Sequence, residues 1–210
     1  MTVLLQKDRP RLLLVTGNLH KLHEVRGVLG DALDVVSLKD LGLDVSPEET
    51  GATFEDNARI KARAGFKASG MPTLADDSGL MVDHLDGLPG VRSARFAQDH
   101  QRGQGDAANN ALLLEKLLDV PEAFRAARFV CVLALCGPGV GEQTWRGTVE
   151  GRIGHAAHGA HGFGYDPLFI LPDGRTMAQL SDDEKNHISH RGNALRLARD
   201  ALVRAVTGAR

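Results

Sequence analysis

Aromatic residues are scarce in this chain, at 4% of 210 residues, too few for the repeated base-stacking platforms on which single-strand binders depend. Charge of one sign is missing as well. The formal net charge is -2, so no global field draws DNA, RNA or an anionic membrane, and any anionic ligand must be held by local groups. No nucleic-acid partner is expected. No apolar run approaches the length that spans a bilayer, and the N-terminal MTVLLQKDRP is too short and too polar for a secretory signal. No membrane association is therefore expected, and the cytoplasm is the expected location. The two cysteines, Cys131 and Cys136, sit five apart in one apolar stretch. On a strand they point to opposite faces and cannot easily bridge, so both read as buried, reduced core residues. A GxxxxGK[ST] loop and a GxSxG elbow are both lacking, which leaves a Walker site and a covalent serine mechanism without support.

What is present is a chain that is 42% hydrophobic and 25% charged, enough to bury a substantial core in one domain, or one domain with two lobes. RLLLVT (Arg11 to Thr16) reads as a strand that stops at Gly17 and Asn18, after which Leu22, Val25 and Leu29 recur at helical spacing. DVVSL reads as a second strand, followed by a polar loop. Thr53-Phe54-Glu55-Asp56 has the form of a capping box opening a helix that runs to Ser69. TLA and LMVDHL flank the acidic turn Asp76-Asp77-Ser78-Gly79, which predicts two short strands meeting at a corner. A helix is expected from Asp106 to Leu118, then adjacent strands ARFVCVLALC and EQTWRGTVEGRI, the second more exposed. A loop rich in glycine and histidine from Gly154 to Gly164, the strand DPLFIL and two closing helices from about Ser181 and Ser189 complete an α/β chain with a mixed sheet.

Four constellations could carry chemistry. Thr16-Gly17-Asn18-Leu19-His20-Lys21 lies where a strand hands over to a helix, whose unpaired N–H groups and positive dipole end make an anion site. Lys21 in the first helical turn opposes that dipole, which a bound phosphate would explain; an Asn-capped helix with an exposed lysine explains it about equally well. Two acidic clusters, Glu48-Glu49 and Asp76-Asp77, offer the oxygen ligands that magnesium prefers, although Ser46-Pro47-Glu48-Glu49 could also start a helix and Asp-Asp-Ser-Gly could be a plain turn. Adjacent acids on a strand point to opposite sides, so only one of Asp76 and Asp77 can face a given site. In Gly162-Phe163-Gly164-Tyr165-Asp166-Pro167 the glycines allow close backbone approach and the aromatic pair could stack on a base. Lys185 with Ser189-His190-Arg191 gathers donors suited to a triphosphate or a base carbonyl. His155, His158 and His161 invite a zinc reading, which fails for want of a matching Cys or His pair.

Taken in order, TGNLHK, EETGATFEDNA, LADDSGL, PGVRSARFA, GFGYDPLF and EKNHISHRG resemble the inosine triphosphate pyrophosphatase family, also called the Ham1 or non-canonical purine triphosphatase family, from about Leu12 to about Leu197. The resemblance implies an elongated mixed sheet flanked by helices, with two lobes and a central nucleotide cleft, as a single domain over 11–207 behind an N-terminal extension at 1–10. It also implies a homodimer, and hydrolysis of purine nucleoside triphosphates such as ITP, dITP and XTP to the monophosphate and pyrophosphate with Mg2+. Carried onto this sequence, Thr16 to Lys21 would hold the phosphates. Glu48 and Asp77 would bind magnesium, with Glu49 an alternative to Glu48. Asp77 would also accept the proton of the attacking water, and Ser78, Phe163, Gly164, Tyr165, Asp166, Lys185, His190 and Arg191 would contact the nucleotide. Arg92 and Phe96 stand where the family often has tyrosines, and Leu88 where the residue is usually small.

Overall fold

The computed structural model describes residues 9–208; of the N-terminal extension expected over residues 1–10, residues 1–8 lie outside them. Six strands form one sheet in the order β2-β1-β3-β4-β5-β6. β1 (Arg11–Val15) lies between β2 (Asp34–Ser37) and β3 (Thr73–Val82) and runs parallel to both. β3, β4 (Ala126–Gly137), β5 (Gly141–Ile153) and the short β6 (Phe169–Ile170) then pair antiparallel. At roughly 3.4 Å per residue the β4–β5 hairpin extends about 40 Å, which makes the sheet long.

Helices cover both faces. On one, α1 (Leu19–Leu29) and α6 (His190–Thr207) pack on Leu12, Leu14, Leu74, Cys131 and Leu133. On the other, α2 (Phe54–Ser69) packs on Leu13, Val15, Ala75, Val130 and Val132. Even and odd positions of β3 and β4 thus serve different cores, as the pleat requires. A third core gathers Leu80, Val82, Phe96, Phe129 and Phe169 beneath α4 (Asp106–Lys116), with the short α3 (Phe96–Asp99) leading into it. Buried Arg125 ties that region together by donating to the carbonyls of Leu117, Val120, Ile153 and Gly154. α5 (Asp182–Ile188) precedes α6 directly.

Helix starts follow the sequence closely. Thr53 and Asp56 form the expected capping box, and Ser181 with Glu184 forms another. Ser189 caps α6 through the Gly192 N–H.

Other expectations are corrected. TLADDSGLMV is one unbroken strand rather than two meeting at a corner, because every residue of it has a partner on β4, Asp77 lying opposite Val132 and Gly79 opposite Val130. A turn signal loses when the carboxylates find cations on both sides of a sheet. DPLFIL yields only two strand residues, since Asp166 folds back to accept from the Phe163 N–H. Ser46 to Glu49 starts no helix. Cys131 is fully buried, but Cys136, near the end of β4, is only half-buried.

Candidate active site

β3 organises the site by alternation. Asp76 points to the α1/α6 face, where its Oδ1 accepts from Lys21 Nζ at 2.7 Å and its Oδ2 from Arg191 Nε at 2.9 Å. Asp77 points to the α2 face, where its Oδ1 accepts from Lys61 Nζ at 2.7 Å and its Oδ2 from Asn57 Nδ2 at 3.5 Å. Ser78 returns to the first face and accepts from Arg191 Nη2 at 2.9 Å.

On the Asp76 side the ion pairs are buried and multiple. Arg191, 1% exposed, donates to Asp76, Ser78 and Glu24. Glu24 also holds Lys185 at 2.8 Å, and Lys185 reaches Asp166 at 2.7 Å. Burial raises the Glu24 carboxyl, but Arg191 and Lys185 outweigh it and hold the group below its ordinary range. Burial acts likewise on Asp76, and Arg191, Lys21 and Lys61 overcome it by a wide margin. Lys185 is pulled down by burial and up, on balance, by Asp166 and Glu24, so it stays charged.

On the Asp77 side, Lys61 lies between two carboxylates, Asp77 at 2.7 Å and Glu49 at 3.1 Å. Asn57 fixes the loop that brings Glu49 there by accepting from the Gly51 N–H. Burial lifts the Asp77 carboxyl above the usual carboxylate range despite Lys61. Lys61 loses by burial and gains more from Asp77, Asp76 and Glu49, so it remains an ammonium. Arg95 closes the row with a 3.5 Å pair to the other Glu49 oxygen. Cations and acids match across the whole site: Lys21, Lys61, Arg95, Lys185 and Arg191 face Glu24, Glu49, Asp76, Asp77 and Asp166.

A cavity of about 130 Å³ opens beside this network, lined among others by Asn18, Lys21, Ser78, Phe163, Tyr165 and His190. That is several times the ~30 Å³ of a water molecule and suits one ring system rather than a whole nucleotide. His190 is buried, its ring stacks on Phe129 at 4.9 Å, and its Nδ1 has no partner among the described residues. Burial first, then Arg191 and Lys185, push its ring well below the ordinary histidine range, so it is neutral. Phe163 stacks on His20 at 5.3 Å and sits under Lys185 at 4.7 Å.

The structure places each residue singled out in the sequence. Asn18 caps α1 by accepting from the His20 and Lys21 N–H groups, so those amides are already used, and Asp76 supplies a reason for Lys21 that needs no phosphate. Thr16 accepts from the Asn18 N–H; a Cβ at Gly17 would meet open space, and Leu19 is exposed. Of the two acids in the loop, Glu48 is exposed and Glu49 turns inward. Tyr165 lines the cavity, but its hydroxyl donates to Ser93 O. Gly164 and Asp166 line it also, Asp166 being tied to Lys185. Lys185 and Asp77 are not among its lining residues.

Lys61, Asn57 and Glu24 were missed. The signal for the first two was legible, since Phe54, Asn57, Ala58, Lys61, Ala62 and Gly65 form the helical stripe that α2 turns to the sheet, and two of them are polar.

A mixed sheet that sets a ring-sized cavity beside a row of paired lysines and carboxylates defines an α/β protein with a small-molecule cleft. The chain belongs to the Ham1 family, whose model matches residues 12–201. It is 50% identical over 195 residues to a dITP/XTP pyrophosphatase of Exiguobacterium sibiricum, covering 92% of this chain and 97% of that protein. With the dITP/XTP pyrophosphatase of Nocardia farcinica it shares 51% identity over 200 residues, covering 92% of this chain and 95% of the other. Among solved structures, a Ham1 protein of Coxiella burnetii superimposes with a TM-score of 0.82 at 38% identity, over 93% of this chain and 100% of that one. The Ham1 protein of Staphylococcus aureus gives 0.80 at 40% identity, over 91% and 97%.

Proposed function

We propose that this protein hydrolyses the triphosphates of deaminated purines, ITP, dITP and XTP, to the monophosphate and pyrophosphate, and so keeps them out of DNA and RNA. The observation that carries this reading is the pair of carboxylates, Glu49 and Asp77, gripping one ammonium from two sides, with Asp77 on a strand whose next residue, Ser78, lines a cavity of ring size. Curated relatives about half identical over nearly their full length bear the corresponding name.

A hard divalent cation would fit between the two acids beside the Lys61 ammonium, because both donors are carboxylate oxygens and Lys61 meets only one oxygen of each. Magnesium there would be held by Glu49 and Asp77; when bound it neutralises charge on the phosphate oxygens. Asp77 accepts the proton of the attacking water, held in place for it by Lys61 and Asn57. The water oxygen bonds to the α-phosphorus, the bond to the bridging oxygen breaks, and its electron pair leaves with pyrophosphate. Lys61 orients Asp77 and Lys21 meets the phosphates, its charge being felt at both Asp76 and Asp77. Thr16 to His20 shape the loop that the phosphates cross.

The base occupies the cavity against Phe163 and His190. With hydrogen on Nδ1, the neutral His190 ring donates to the carbonyl of hypoxanthine or xanthine. Adenine presents an amino donor at that position, and donor facing donor leaves a buried group unpaired at a cost of about 1–3 kcal/mol. Arg191 supports this arrangement from below, since its nitrogens are bonded to Asp76, Ser78 and Glu24.

The domain is a single two-lobed unit over 11–207, active as a homodimer in the cytoplasm. The test is product analysis with ITP and magnesium. IMP plus pyrophosphate is expected; IDP plus phosphate would overturn the reaction, and equal rates on ATP, dTTP and ITP would overturn the substrate class.

A further inference from the structure

We infer that Arg95 is the residue that grips the far end of the triphosphate and the pyrophosphate that leaves. This rests on the pyrophosphatase reading above and adds a residue to it. Arg95 ends the 3-10 turn Gly90–Arg95, and that turn is pinned from several sides. Ser93 Oγ accepts from the Leu80 N–H and donates to Gly90 O; Tyr165 donates to Ser93 O; Asn109 donates to Ala94 O and accepts from the Ala97 N–H. Ser93 and Ala94 line the cavity. A backbone held so firmly at the cleft wall carries, at its next position, a guanidinium left 40% exposed.

Its ion pairing is what distinguishes it. Lys21, Lys185 and Arg191 are each paired to acids on the Asp76 side of β3. The one ion pair of Arg95 among the described residues is to Glu49, which also holds Lys61. When Glu49 turns its charge to a divalent cation, Arg95 loses its anion while remaining in reach of solvent. Lys61, 12% exposed, stays enclosed beneath Asp77. A freed guanidinium at the open end of the carboxylate row has the planar fork that pairs with two phosphate oxygens at once. Hydrolysis leaves the bridging electron pair on pyrophosphate, so charge grows on the group Arg95 faces. The competing view is an ordinary half-exposed surface pair, weak and indifferent to ligand.

The experiment titrates inorganic pyrophosphate with magnesium, and separately IMP, into the full chain by calorimetry, alongside ITP turnover. Arg95→Ala should weaken pyrophosphate binding and lower kcat/KM for ITP, each by roughly ten- to hundredfold, the loss of a hydrogen bond to a charged group. IMP affinity should stay at the wild-type value. Arg95→Lys should recover part of the loss, and Arg92→Ala, which removes the neighbouring Asp99-paired arginine, should bind pyrophosphate as wild type does. Pyrophosphate affinity of Arg95→Ala within twofold of wild type overturns the inference, as does equal weakening of IMP. Wild-type release of IDP from ITP would instead defeat the underlying reaction, whatever Arg95 does.

Discussion

Replacing Glu24 with glutamine withdraws a negative charge from beneath two buried cations. Glu24 is 8% exposed and accepts from Lys185 at 2.8 Å and from Arg191. Removing one partner of a buried ion pair costs about 3–5 kcal/mol. The low end applies, because Arg191 keeps Asp76, Lys185 keeps Asp166, and the amide oxygen still accepts one bond. In a protein of this size 1 kcal/mol moves Tm by about 2–4 °C, so Glu24→Gln should melt roughly 6–12 °C lower at pH 7. The dependence on pH gives the charge away. Folding lowers the Glu24 pKa below 4.5, so its contribution is fully present above the unfolded value and is lost as pH falls through the folded one. The gap between wild type and variant should therefore be constant from pH 7 to 5 and narrow below that. Calorimetric unfolding across that range is the assay. A gap under 1 °C at pH 7, or one that does not shrink in acid, would refute the reasoning.

Other expectations separate neighbouring residues. Glu49→Gln should raise the magnesium concentration needed for half-maximal turnover at least tenfold, while Glu48→Gln, at an exposed position, should leave it unchanged; magnesium titration of turnover checks both. His190→Phe removes the unpartnered Nδ1, and should narrow the ITP-to-ATP preference in kcat/KM by roughly tenfold or more, the equivalent of one unpaired buried group. Lys21→Ala should weaken ITP binding more than inosine binding, measured by calorimetry, because its ammonium meets the phosphates and not the base.

Regular elements were legible wherever local chemistry decides. The Thr53 and Ser181 boxes set helix starts through bonds between residues three apart, and the strand alternation of β3 sent Asp76 and Asp77 to opposite faces as the pleat demands. The expected corner at Asp76 to Gly79 was a misreading of the same residues. Carboxylates and glycine signal a turn locally, but Lys21, Arg191 and Lys61 come from helices 16 to 115 residues away and pair them inside a sheet. The site was half visible for that reason. Charged residues in motifs were found, and their pairings were not. Glu48 and Glu49 are equivalent until the loop is placed by the Asn57 bond to Gly51, and Lys61 passes for a solvated helix residue until α2 is laid on the sheet. Arg191 reads as a ligand donor in sequence; in the fold it lines the cavity and also ties two elements together, its acceptors being Asp76 and Ser78 on β3 and Glu24 on α1.

The measurement closest to the heart of the account compares wild type with Asp77→Asn in magnesium-dependent hydrolysis of ITP, with ITP affinity measured in parallel. Loss of the proton acceptor should lower kcat by about 10²–10⁴ and leave ITP bound within a few-fold of wild type. Turnover by Asp77→Asn at the wild-type rate would contradict the account.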